Sequence, residues 1–86
     1  MVRLVEIVEA KAKNKKYSAI VMDDEGKKRT INFGDSRYSQ YRDNTPLKLY
    51  KDLDHNDKER RDRYYQRHGE TNNKLSAKYY SNKYLW

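Results

Sequence analysis

The chain has 86 residues, a formal charge of +7 and a pI near 9.6, which sizes it for one small basic domain over residues 1–86 and points to polyanions as partners. It contains no cysteine, which excludes disulfide staples, thiolate catalysis and Cys-based zinc sites. Only 35% of the chain is hydrophobic against 38% charged, so the core is small, and no apolar run approaches the ~20 residues of a membrane helix.

Val2 to Val8, VRLVEIV, is β-branched and alternating and reads as a strand. A lysine-rich link from Glu9 to Lys16 turns at Asn14. Tyr17 to Met22, YSAIVM, is the clearest strand. Asp23-Asp24-Glu25-Gly26 is a turn, with Gly26 supplying positive φ. Lys27 to Phe33 alternates, with Arg29, Ile31 and Phe33 on one side and Lys28, Thr30 and Asn32 on the other. Three strands with short turns predict an antiparallel meander with one face for helices to cover. Gly34 is expected to end the sheet.

Asp35 to Asn44 is polar and reads as a loop. Thr45-Pro46 has the form of a helix start, and Leu47, Leu49, Tyr50 and Leu53 predict one or two helical turns. Asp54 to Asp57 breaks them. The next stretch, DKERRDRYYQRHG, predicts a helix over about Asp57–His68, capped by Asn56 or Asp57 and stopped at Gly69. A polar link, Glu70–Lys74, leads to LSAKYYSNKYLW, a helical segment with Ser76 as cap. Its aromatics fall on two faces, which calls for two neighbours or a contact surface. The expected architecture is therefore α+β: a three-stranded antiparallel sheet packed by an Arg-rich helix and an aromatic C-terminal helical segment.

At 100° per residue, Arg60, Arg63 and Arg67 share one stripe of the Arg-rich helix. Tyr64, Tyr65, His68 and Arg61 form the inward side, with Arg61 expected to pair with a carboxylate or a ring. Glu59 and Arg63, and Lys58 and Asp62, have the spacing of helical ion pairs. Guanidinium groups gathered on one face match phosphate oxygens. A charge stripe is also what an ordinary solvated face looks like. Lys15, Lys16, Lys27, Lys28 and Arg29 extend the candidate nucleic-acid-binding set. Tyr64, Tyr65, Tyr79, Tyr80, Tyr84 and Trp86 are the candidates for core or self-association.

DKERRDRYYQRHG also resembles a D-x-E-R-[RK]-x-R-Y-x-x-R-H signature found in short uncharacterised basic proteins of nucleocytoplasmic large DNA viruses and some phages. Phe33-Gly34 and Ser39-Gln40-Tyr41 are similar to flanking features of that family. So is Tyr79–Trp86, where tyrosines replace its tryptophans. The likeness spans about Tyr17 to Trp86, with extra residues at Arg42–Asp54. It implies a viral protein of the virion or host-cell interior and offers no catalytic assignment.

The two histidines lie thirteen apart, no Gly-rich phosphate loop exists, and the EF-hand pattern is incomplete. No enzyme activity, cofactor or metal is expected. The expected function is sequence-independent binding of double-stranded DNA by a self-associating protein, a homodimer or larger, that condenses or organises a viral genome. One alternative is a virion or adaptor protein that uses its aromatics for protein contacts. Another is single-strand or RNA binding by stacking on exposed tyrosines.

Overall fold

The computed structural model describes all 86 residues, Met1–Trp86. The elements are β1 (Arg3–Glu9), β2 (Lys15–Met22), β3 (Lys28–Asp35), a 3₁₀ turn (Lys51–Leu53), α1 (Lys58–His68) and α2 (Ala77–Tyr84). The strands form one antiparallel sheet in the order β1-β2-β3. This is the α+β fold that the hydrophobic alternation predicts.

The core face is built on the central strand. Tyr17, Ala19 and Val21 of β2 are fully buried, and Ile7 and Phe33 stand opposite Ala19 and Tyr17. Leu4 and Ile7 are three apart, a spacing that would put them on opposite faces of a regular strand. The register of β1 shifts between Leu4 and Glu6. That bulge leaves Val5 exposed and brings both Leu4 and Ile7 onto the core cluster.

The second layer is α2. Ser76 caps it by accepting from the Lys78 N–H at 3.2 Å. Tyr80 and Leu85 are buried, and the rings of Tyr80 and Tyr84 lie 5.9 and 6.2 Å from Phe33. α1 is attached outside this layer, on α2 and Trp86, so it reaches the sheet through the C-terminal segment.

β2 begins at Lys15, two residues earlier than the alternation indicates, and β3 continues through Gly34 to Asp35. Gly34 is the hinge of this extension. Its φ is +76°, and a Cβ there would stand 2.8 Å from Leu85 Cδ1 and 3.1 Å from Lys16 Cδ. Glycine is required both by the backbone and by the close approach of two buried side chains.

Residues 36–57 depart most from the sequence reading. The expected one or two helical turns over Leu47–Leu53 reduce to the 3₁₀ turn at Lys51–Leu53, and Leu47 and Leu49 are exposed. Thr45 caps no α-helix. Its hydroxyl donates to Asp43 Oδ1 at 2.6 Å and accepts from the Lys48 N–H at 3.1 Å. Such local side-chain bonds compete with helical ones.

Those bonds belong to a buried polar knot. The Tyr17 hydroxyl donates to Asp43 Oδ2 and accepts from the Leu49 N–H at 2.9 Å. Asp43 also accepts from the backbone N–H groups of Thr45 and Tyr50. Lys16 donates to the Tyr38 carbonyl at 2.8 Å and to Gln40 Oε1. Gln40 donates to the Tyr50 carbonyl and to Asp54 Oδ1. Lys16, Gln40, Asp43 and Thr45 are all buried, and each has the partners that burial of a polar group demands.

Gly34→Ala adds a methyl group at a strained, occupied position. It is expected to lower unfolding free energy by about 1–3 kcal/mol, read as a fall in the urea midpoint with an unchanged slope.

Candidate nucleic-acid interface

α1 forms where its caps dictate. Of the two candidate caps, Asp57 acts: its carboxylate accepts from the Glu59 N–H at 2.9 Å and the Arg60 N–H at 3.3 Å. Asn56 sits at φ +57° and accepts from Arg42 Nε instead. Gly69, at φ +66°, stops the helix with its N–H on the Tyr65 carbonyl at 2.7 Å.

The inward side of α1 is the one the helical spacing predicts. Tyr64 stacks on Trp86 with centroids 4.3 Å apart and planes 4° from parallel. Its hydroxyl donates to Asn82 Oδ1, and that of Tyr65 to the Asn82 carbonyl. Arg61 donates to the Trp86 carbonyl at 2.7 Å, with its guanidinium 5.1 Å from the Tyr41 ring centroid. It is structural, and its partners are the main-chain oxygen of Trp86 and the Tyr41 and Tyr65 rings.

Arg60, Arg63 and Arg67 are exposed and none forms a salt bridge. The helical pairs Glu59–Arg63 and Lys58–Asp62 do not form, so the positive charge of the stripe is not spent internally. Arg60 is held at one point, donating to Ser39 Oγ at 3.0 Å.

The stripe borders a groove of about 660 Å³ between the end of the sheet, α1 and α2. Lys15, Arg60, Arg67, His68 and Lys78 line it, with Gly34 and Phe33 at its floor and Tyr38 and Ser39 at its side. A second hollow of about 300 Å³ holds Arg60, Arg63, Gln66, Arg67 and Trp86. Arg60, Arg67 and Trp86 are common to both, so the two form one basic surface. Asp35 is the acid of the groove. Hydrogen bonds from Arg37 hold its carboxyl down at about 2, and its charge is answered by that guanidinium at 2.8 Å.

Only part of the predicted cation set is brought together. Lys15 joins the arginine stripe at the groove. Lys16 also borders the groove, but it is 2% exposed, with its ammonium turned onto Tyr38 and Gln40. Its assignment to nucleic acid is corrected to a structural one, because strand alternation and Gly34 turn it into the loop. Lys27, Lys28 and Arg29 lie at the far end of the sheet, where Lys28 pairs with Met22. That is seven strand steps of ~3.3 Å, roughly 23 Å, from Lys15. Arg29 is bound there to Asp23 at 2.9 Å, and Lys27 stands 3.8 Å from Glu25.

The aromatic candidates go to the interior. Tyr80 and Tyr64 are buried, while Tyr79, Tyr84 and Trp86 pack against the core cluster. Two groove residues escape the sequence reading, Lys78 and Tyr38. Lys78 is masked by the aromatics around it. Tyr38 had one legible signal, a lone ring beside an arginine in a polar loop.

His55 contributes little charge. Burial, then the nearby Arg60, lowers the pKa of His55, and its Nδ1 accepts from the Asp57 N–H. No group of three His, Cys, Asp or Glu side chains is placed to hold a metal ion. No helix is long and apolar enough to cross a membrane.

The profile of a family of unknown function (DUF5754) matches residues 5–52. The match covers more than half of the chain, and the chain belongs to that family. It takes in most of the sheet and the polar knot and ends before α1. No curated protein and no solved structure matches.

The buried ionisable groups dictate a pH profile. Burial lowers Lys16 from 10.5 to about 8, so between those values the unfolded chain binds the extra proton and stability rises with pH. Burial, and then the bond to Asp43, raise Tyr17 from 10.0 to about 12, so stability falls from pH 10 to 12. Burial pushes the Asp43 carboxyl up, but its bonds from Thr45, Tyr17 and Tyr50 outweigh that and hold it below 3.8. Its contribution is lost in acid. Urea midpoints are expected to rise from pH 8 to 10 and fall above, and Lys16→Met is expected to remove the rise.

Proposed function

We propose that this member of the DUF5754 family is a non-enzymatic, sequence-independent nucleic-acid-binding protein that uses α1 and the adjoining groove to hold phosphates. The single observation that carries this reading is the state of Arg60, Arg63 and Arg67. They are exposed, on one stripe, and unmatched by any carboxylate. Surface arginines with nothing to neutralise them repel one another, and an array of phosphates relieves that repulsion.

Duplex DNA is the partner that the stripe fits from outside, since an exposed helix face reaches a backbone without entering a pocket. The resemblance of the α1 signature to short basic proteins of large DNA viruses supports a viral genome as that polyanion. Condensation would need more than one contact surface per particle. Lys27 and Lys28, at the opposite end of the sheet, or a second copy of the chain, would supply it. The adaptor reading has less to work with, because the aromatics it relies on pack into or against the core.

The test is a gel shift on duplex DNA across a salt series. The wild-type affinity is expected to fall steeply between about 50 and 200 mM salt. Replacing Arg60, Arg63 and Arg67 together by Ala is expected to abolish the shift at the higher salt. It should also flatten the log–log salt slope by about 3, with the circular dichroism spectrum unchanged. A folded triple variant with unaltered affinity would rule out the stripe as the site.

A further inference from the structure

Eight of the nine tyrosines are buried or half-buried, and Tyr38 is 65% exposed. It stands at the side of the basic groove, in a segment that is held firmly. Its N–H donates to the Asp35 carbonyl at 3.1 Å, and its own carbonyl accepts from the buried Lys16 ammonium at 2.8 Å. The Arg37 guanidinium lies 5.7 Å from the ring centroid, and it is fixed there by two hydrogen bonds to the Asp35 carboxylate. The ring therefore stands on an anchored backbone, with an arginine beside it and most of its surface in solvent. The next residue, Ser39, accepts from Arg60, so this segment and the arginine stripe are joined by one hydrogen bond.

We infer that the groove receives an unpaired nucleotide, its base stacked on Tyr38 and its flanking phosphates on Arg60, Arg67 and Lys15. This rests on the polyanion reading of the same surface and sharpens it. The faces of duplex bases are covered by their neighbours, so an aromatic platform is useful only to a base outside a helix. The volume agrees. A hollow of about 660 Å³ lies within the ~300–1,000 Å³ of small-ligand sites, whereas a DNA duplex has a major groove that is itself ~12 Å wide. The outer stripe meets phosphates of any strand, and the groove adds affinity where a strand end, gap or loop offers a free base.

Three probes of equal length separate the contributions: an oligothymidylate, its abasic counterpart with the same phosphates, and a duplex. Wild-type protein is expected to bind the oligothymidylate about tenfold more tightly than the abasic strand. Tyr38→Ala is expected to erase that difference and leave duplex binding within about twofold, and Tyr38→Phe, which keeps the ring, to retain it. Equal binding of the oligothymidylate and the abasic strand by wild-type protein, or no effect of Tyr38→Ala, overturns the stacking site while leaving the phosphate stripe standing. Wild-type protein that binds none of the three probes overturns the stripe as well.

Discussion

The long irregular loop after the sheet is held by two side chains of the central strand. Tyr17 and Lys16 reach from β2 into residues 38–50, where Asp43 and Gln40 receive them. Asp43 and Lys16 would each be costly to bury alone. Each is satisfied by bonds the other does not make, and Asp54 connects the two halves by accepting from Gln40 and from the Asp43 N–H. Removing one partner of such a buried set typically costs about 3–5 kcal/mol. A 22-residue stretch with one 3₁₀ turn is thereby anchored to the sheet at its buried residues Gln40, Tyr41, Asp43 and Thr45.

The same knot positions the candidate site. Lys16 fixes the Tyr38 carbonyl, Tyr38 precedes Ser39, and Ser39 holds Arg60. On the other side Trp86 carries α1 through its stack on Tyr64 and its carbonyl bond to Arg61. The groove is thus walled by a loop tied to the sheet and by a helix tied to the C-terminal segment. Three acids near it are engaged elsewhere, Asp35 with Arg37, Asp57 with the α1 backbone and Asp54 inside the knot, and Glu59 and Asp62 of α1 form no salt bridge with the stripe.

Tyrosine is how so polar a chain makes a core at all. The rings supply apolar area, and four of the nine hydroxyls donate to an acceptor within the fold. Tyr17 donates to Asp43, Tyr64 and Tyr65 to Asn82, and Tyr80 to the Lys74 carbonyl. These hydroxyls do the tethering that a larger aliphatic core would make unnecessary.

Local physics was legible in the residues by themselves: alternation set the three strands, Gly26 and Gly69 their turn and stop, and 100° periodicity the outward arginines and inward tyrosines of α1. Those features depend on neighbours within a few positions, which a sequence displays directly. The fate of Lys16, Thr45 and Tyr38 was decided by the tertiary structure. A lysine on a strand is written the same way whether it faces water or a buried glutamine twenty-four positions away. Thr45-Pro46 has the chemistry of a helix start until Asp43 takes its hydroxyl. Only the folded chain brings the end of β2, the loop and α1 to one groove, because the bonds that do so join residues remote in sequence and polar in character, for which no periodicity exists to be read.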